Sequence, residues 1–163
     1  MTFTLRPLAT YAADAEVRMA FLLNFSRFST WPKTSLADNA VLNVCIRTQN
    51  DNFIRGSRAL ESQLVKGHSL KIIQVSAVNE LADCHVAYLA NDLPDAEISN
   101  YLTWLQSRNV LSISDTPNFL ERGGMIGLEE VGGRYVFDVS LRNIRKTELN
   151  LSTSVLKIAR SVR

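Results

Sequence analysis

The sequence predicts one α/β domain, with a mostly parallel sheet flanked by helices and an antiparallel hairpin and helix at the C-terminal end. Short apolar runs alternate with helical segments through most of the chain, which is the pattern of βαβ units. The run Val41–Arg47 contains one polar residue, Asn43, before its final arginine, as expected of a strand buried on both faces. Later, Gly132-Gly133 separates two further runs and indicates a hairpin rather than a crossover.

Length and composition suit a globular protein with one core. The chain has 163 residues, of which 46% are hydrophobic and 21% charged. A net charge of +2 at pH 7 gives no reason to expect a nucleic-acid partner. Residues 142–163 nevertheless hold six arginines and lysines against one glutamate, which could attract an anionic surface or form the solvated face of a helix. No apolar run approaches the ~18 residues of a membrane span.

The N-terminal residues 1–14 show no periodicity, and we interpret them as a leader remnant or a disordered segment before a domain at 15–163. Thr10-Tyr11-Ala12 is similar to the small-residue tail of a signal cleavage site, although Arg6 and Pro7 interrupt the apolar stretch before it. Export from the cytoplasm is therefore suggested.

The first predicted helix, Ala15–Trp31, ends before Pro32, because the residue that precedes a proline avoids the α conformation. Arg18 and Arg27 are expected to face solvent. The residues expected near one buried face are Val17, Ala20, Phe21, Asn24, Phe28 and Trp31, with Leu22, Leu23 and Phe25 widening it. This face either serves the core alone or is shared with a dimer or partner surface, for which the candidates are Phe25, Phe28 and Trp31.

The middle of the chain predicts alternating helices and strands. Capping residues and periodicity place helices at Asp51–Glu61 (capped by Asp51), Ala77–Leu81, Pro94–Ser107 and a short stretch between Asp115 and Gly123-Gly124. Apolar runs place strands at Leu70–Val75, Cys84–Ala90 and Val110–Ser114.

The C-terminal region predicts a hairpin followed by two helices. Its strands are Met125–Glu129 and Arg134–Val139. The helices are Leu141–Lys146 and Leu151–Val162, with Val155, Ile158 and Val162 facing inward.

The two cysteines are candidates for a disulfide. In a doubly wound sheet the first strand lies between the second and third, so Cys45 and Cys84 could be cross-strand neighbours. From the residues alone, two buried thiols are an equal alternative. A zinc site that includes the histidines fits poorly, because Cys84 and His85 are adjacent on a predicted strand and point to opposite faces.

No signature of an enzyme is present, so we expect no catalytic residue, metal or cofactor. The sequence lacks a G-x-S-x-G nucleophile turn and a phosphate-binding G-x-x-x-x-G-K loop. The glycines at 123, 124 and 127 precede a strand rather than a helix, unlike those of a dinucleotide-binding loop.

Asp138, at the end of the hairpin, has two interpretations. It could cap the helix that starts at Leu141. Alternatively, it could line a small ligand pocket together with Leu141, Ile144 and Ser152.

Taken together, several segments resemble the YfiR-like family over roughly residues 15–163. The segments that carry the resemblance are Phe21–Phe25 with Trp31-Pro32, Leu42–Ile46, Cys84-His85-Val86, Arg122–Ile126, Arg134–Val139 and Leu151–Arg160. The resemblance implies an α/β periplasmic protein, a homodimer that represses an inner-membrane diguanylate cyclase through the periplasmic part of that enzyme. Release of the repressor would raise cyclic di-GMP and favour biofilm formation. Cys45 and Cys84 match a family cysteine pair able to form a disulfide, which favours the bridge.

The chain departs from the family pattern at two places. A second cysteine pair, found in some members around the region matching Asn118–Ile126, is missing, and Thr30 stands where relatives often have arginine. The acidic residue of the hairpin is kept as Asp138. The leading hypothesis is a repressor whose partner surface combines the aromatic first helix with Lys157 and Arg160; the alternative is a periplasmic sensor of a small ligand, such as a metabolite or a cell-wall fragment.

Overall fold

A central sheet organises the molecule. The computed structural model describes residues 8–163, with side chains from residue 14 onward. The strands in this part are β1 (Ser29–Thr30), β2 (Leu42–Arg47), β3 (Leu64–Val65), β4 (His68–Gln74), β5 (Val86–Leu89), β6 (Leu111–Ser114), β7 (Ile126–Val131), β8 (Arg134–Val139), β9 (Asn150–Leu151) and β10 (Ser161–Val162). The α-helices are α1 (Leu8–Arg27), α2 (Asp51–Ser57), α3 (Asp95–Leu105), α4 (Leu141–Ile144) and α5 (Thr153–Ile158), and 3₁₀ segments run over Arg58–Ser62 and Val78–Asp83.

The strand order is β10-β8-β7-β6-β5-β2-β4-β3, which confirms the predicted α/β class. β2 runs parallel to both of its neighbours, β4 and β5, as predicted. Its apolar composition follows from this position, because both faces of a central parallel strand are covered. Val44 and Ile46 pack into the core on the α1 side, whereas Cys45 belongs to the core on the α3 side.

Helix α1 ends four residues earlier than predicted and buries a different face. It begins at Leu8 and ends at Arg27, after which Ser29 and Thr30 pair with β9. The buried stripe contains Met19, Leu22, Phe25 and Ser26. Residues 1–7 of the predicted leader segment lie outside the described residues, so that interpretation stays a prediction.

Three local predictions in the middle of the chain were wrong. Asn50, not Asp51, caps α2, since its side chain accepts hydrogen bonds from the N–H groups of Asn52 and Phe53. Cys84 ends a 3₁₀ segment and precedes β5 instead of belonging to it. The stretch after Asp115 forms a series of turns rather than a helix. Helix α3, by contrast, is close to its predicted bounds.

The C-terminal region confirms the hairpin but not the last helix. Gly132 and Gly133 adopt φ values of +58° and +79°, which suit a two-residue hairpin turn. Helix α5 ends at Ile158, which is 73% exposed, and the chain continues as β10 parallel to β8. The N–H groups of Arg160 and Arg163 donate to main-chain carbonyls of β8, and these non-local bonds take the segment out of the helix.

Candidate functional site

The structure joins Cys45 and Cys84 in a disulfide on the α3 side of the sheet. Their Cα atoms are 5.9 Å apart, and both residues are buried. The bridge is not strictly cross-strand, because Cys45 lies opposite Ile73 and Ala87 in the sheet register. It ties the central strand to the turn that leads into β5.

His85, next to the disulfide, is held as a neutral histidine. Its Nδ1 accepts the main-chain N–H of Asn43 at 2.9 Å, which leaves Nε2 to donate to the carbonyl of Ser35 at 2.9 Å. Burial lowers the pKa of His85, in keeping with this arrangement. The indole N–H of Trp31 donates to the main-chain carbonyl of His85 at 2.9 Å. His85 therefore fastens the loop after α1 to the sheet.

Asp138 is the centre of a charged cluster at the edge of the sheet. Arg160 donates to both of its carboxylate oxygens, and the Ser161 hydroxyl donates to one of them at 2.8 Å. Arg160 also pairs with Glu129 at 2.7 Å. The bonds from Arg160 hold the pKa of Asp138 below its usual range. The cluster fastens β10 to β8.

The capping interpretation of Asp138 was wrong. The residue that caps α4 is Ser140, whose hydroxyl accepts the N–H of Asn143 at 3.1 Å. The carboxylate of Asp138 is bound instead by Arg160 and Ser161 of the C-terminal segment.

A cavity of about 320 Å³ opens beside Asp138. Its lining carries charges of both signs, from Asp138, Glu121 and Glu129 and from Arg160 and Arg163. These charges are paired with one another, Arg160 with Asp138 and Glu129 and Arg163 with Glu121, so a charged ligand would have to exchange with these ion pairs.

The other three residues of the predicted pocket do not line this cavity. Ile144 is buried in the core and Leu141 is half-buried against it. Ser152 caps α5 and lines a separate depression beside Phe28. The structure therefore keeps Asp138 as a cavity residue and places the rest of the predicted set elsewhere.

A buried polar cluster around Arg18 was missed, since that residue was expected to face solvent. Its guanidinium donates to the Tyr88 hydroxyl at 3.2 Å and lies 3.6 Å from the carboxylate of Asp115. It also stacks over the Phe53 ring, 4.7 Å from the centroid. Burial raises the pKa of Asp115, and it raises that of Tyr88 as well. The cluster pins α1 across the sheet near the carboxyl ends of β5 and β6.

One signal in the sequence could have located this cluster. Asp115 directly follows the buried strand β6, and polar residues at the carboxyl ends of parallel strands commonly form the functional edge of a doubly wound sheet. A buried carboxylate in that position needs a cation, and Arg18 is one of the two basic residues of α1.

A match to the model of a known protein family shows which family this chain belongs to. The family model described as YfiR/HmsC-like matches residues 15–160. The chain belongs to the YfiR/HmsC-like family. Proteins of this family are periplasmic and regulatory, and membership suggests a regulator of a diguanylate cyclase. None of the curated proteins compared with the chain matches it significantly.

Within residues 8–163, no helix combines the length and the apolar character that crossing a bilayer requires. The disulfide fits the oxidising periplasm in which YfiR/HmsC-like proteins reside.

The residues predicted to form a partner surface in this YfiR/HmsC-like chain separate into buried and exposed groups. Phe25 and Trp31 are only 2% and 7% exposed, so they serve the core. Phe28 is 41% exposed, and Lys157 lies on the exposed side of α5. Arg160 is committed to its two carboxylates. Phe28 and Lys157 therefore remain as candidates for contact with another molecule.

Proposed function

We propose that this protein is a periplasmic repressor that acts as a homodimer and binds the periplasmic part of an inner-membrane diguanylate cyclase. The observation that carries the proposal is the family match over residues 15–160. Loss of the protein would release the cyclase, raise cyclic di-GMP and favour biofilm formation.

The proposed contact surface joins the end of α1 to α5. These elements are neighbours, because the main-chain N–H of Ser152 donates to the carbonyl of Phe28 at 2.8 Å. Phe28 and Ile158 expose large apolar side chains, and Lys157 adds a cation. An apolar contact with a charged rim is the usual composition of a protein interface.

The test is to delete the gene in its host and measure cyclic di-GMP and biofilm mass. We expect both to rise, and to return when the exported protein is supplied. Unchanged cyclic di-GMP in the deletion strain would contradict a repressor of a cyclase.

The contact surface is tested by binding to the isolated periplasmic domains of the host's membrane cyclases. The substitution Lys157→Glu should weaken binding while thermal unfolding stays unchanged, because the side chain is exposed. Lys71→Glu, at an exposed lysine of β4, is the matched control and should bind normally. Equal affinity of both variants would exclude α5 from the interface.

A second candidate function is a periplasmic sensor of a small ligand, favoured by the charged cavity beside Asp138. A ligand at 100 times its Kd adds about 2.7 kcal/mol to the free energy of unfolding, which a thermal-shift screen detects easily. We expect the stabilising compound to be a charged metabolite or cell-wall fragment, and the shift to vanish in Asp138→Asn. Silence across such a library would count against a sensor. A ligand could also tune the repressor, so the two functions are compatible.

A further inference from the structure

A basic face on α4 is available for an external partner. Arg142, Arg145 and Lys146 follow the spacing i, i+3 and i+4, and the helical backbone continues through Arg145. All three are exposed, while Asn143 and Ile144 face the core. No acidic side chain within the described residues pairs with any of the three. We call these three residues the α4 basic face.

The two arginines that follow α5 are not available in this way, and Lys157, which is exposed, stands apart from the three on another helix. Arg160 pairs with Asp138 and Glu129, and Arg163 pairs with Glu121. Ion pairing therefore neutralises the two arginines that follow α5, whereas the three cations of α4 stay unpaired within the described residues.

Hydrogen bonds to neighbouring segments hold the α4 basic face in place. The Asn143 side chain donates to the carbonyls of Leu120 and Gly124, at 3.0 and 2.8 Å. The first N–H group of the helix, that of Leu141, donates to the carbonyl of Arg163 at 2.7 Å. The three cations thus project from a helix turn whose position is set by buried hydrogen bonds.

The surroundings favour a lipid surface over a protein. Protein interfaces take most of their binding energy from apolar or aromatic anchors that fill pockets. None of the three residues lines a cavity described above, and α4 carries no exposed large apolar side chain. Long, unpaired cations on a surface without a pocket suit phosphate groups spread over a plane.

We propose that the α4 basic face binds the anionic phospholipid headgroups of a membrane surface. Each lysine or arginine near such a surface strengthens binding about fivefold, so three together contribute roughly 100-fold. The inference rests on the proposed place of the protein beside the inner membrane. Membrane contact would raise its effective concentration near a membrane-bound partner.

Vesicle flotation tests this proposal. Purified protein is mixed with vesicles of phosphatidylcholine containing about one third phosphatidylglycerol, or with phosphatidylcholine alone. We expect binding to the anionic vesicles only, and its loss at about 1 M salt, where the screening length is ~3 Å. The triple variant R142Q/R145Q/K146Q should lose roughly 100-fold in vesicle affinity.

The matched control removes three exposed cations from separate elements, in R55Q/K71Q/R134Q. It changes net charge equally and should retain most of the vesicle binding. Equal losses of vesicle affinity in both variants would show that binding depends on overall charge and not on the α4 basic face, and would overturn the proposal. Absence of binding by the native protein would overturn it as well.

A further arm measures binding to the cyclase's periplasmic domain without lipid. If the α4 triple variant loses that binding and keeps vesicle binding, the face recognises an acidic protein and the lipid proposal is wrong. Vesicle binding requires no cyclase, so failure of the repressor hypothesis leaves this result unaffected.

Discussion

Reduction of the Cys45–Cys84 disulfide should strongly destabilise the domain. The bridge spans a sequence separation of 39 residues. Opening a loop of that length raises the conformational entropy of the unfolded chain. The free energy of unfolding should therefore fall by about 4 kcal/mol. A domain is typically stable by about 5–15 kcal/mol, so the loss is a large share. At about 2–4 °C per kcal/mol for a chain of this size, Tm should fall by about 8–16 °C.

The assay compares urea and thermal unfolding of oxidised and reduced protein by far-UV circular dichroism, after the free thiols of each form have been counted. The variant C45A/C84A is the control, because its unfolding should not depend on reductant. If reduction of both cysteines lowers the free energy of unfolding by less than about 1 kcal/mol, loop closure does not account for the contribution of the bridge.

Three further predictions concern charge and packing. Arg18→Met should cost about 3 kcal/mol at neutral pH, since the Asp115 carboxylate then remains buried without its cation. The deficit should shrink as the pH falls and Asp115, whose pKa burial raises, takes up a proton. Asp138, whose pKa its arginine partner lowers, stabilises the fold above about pH 4, and urea titrations should show this contribution disappearing at lower pH. Gly124→Ala should cost about 1–3 kcal/mol in urea unfolding, because the added Cβ would meet the Phe119 ring.

Each of these predictions has its own control. In the double variant R18M/D115N most of the lost stability should return, and additive losses would mean that the two residues do not interact. Asp138→Asn should remove the part of the stability that is lost at low pH, and an unchanged pH profile would contradict a lowered pKa of Asp138. Phe119→Leu should partly rescue Gly124→Ala if steric overlap is the cause.

The fold was largely predictable because its main signals are local. An almost uninterrupted apolar run predicted the central strand, and two glycines predicted the hairpin. Pro94 at the start of α3 and the apolar spacing along that helix gave its position. Each of these signals depends on residues that are close together in the sequence, so it can be recognised without knowing the rest of the structure.

The buried face of α1 could not be predicted in this way. The helix is apolar on several sides, so the stripe through Phe28 and the stripe through Phe25 both satisfy helical spacing. Phe25 is buried against Phe137, whose ring centroid lies 5.0 Å from its own, whereas Phe28 stays 41% exposed. Such a choice depends on a strand more than 100 residues away in the sequence.

The candidate site was predicted only in part. Asp138 was recognised as a residue of interest, but its partner Arg160 was assigned to a helix surface. A helical pattern of a few residues cannot show that the segment will instead pair with β8. Arg18 was missed for the same reason, since Tyr88 and Asp115 belong to β5 and to the turn after β6.

The sequence by itself determined the α/β class, the central strand, the hairpin and the family resemblance, because short-range patterns carry each of them. Only the tertiary structure decided which charges are neutralised and which face solvent. Arg160 and Arg142 look equivalent in the sequence, yet one is held by two carboxylates and the other is unpaired within the described part of the chain. Ion pairing depends on distances between elements, and those distances exist only once the sheet has brought the elements together.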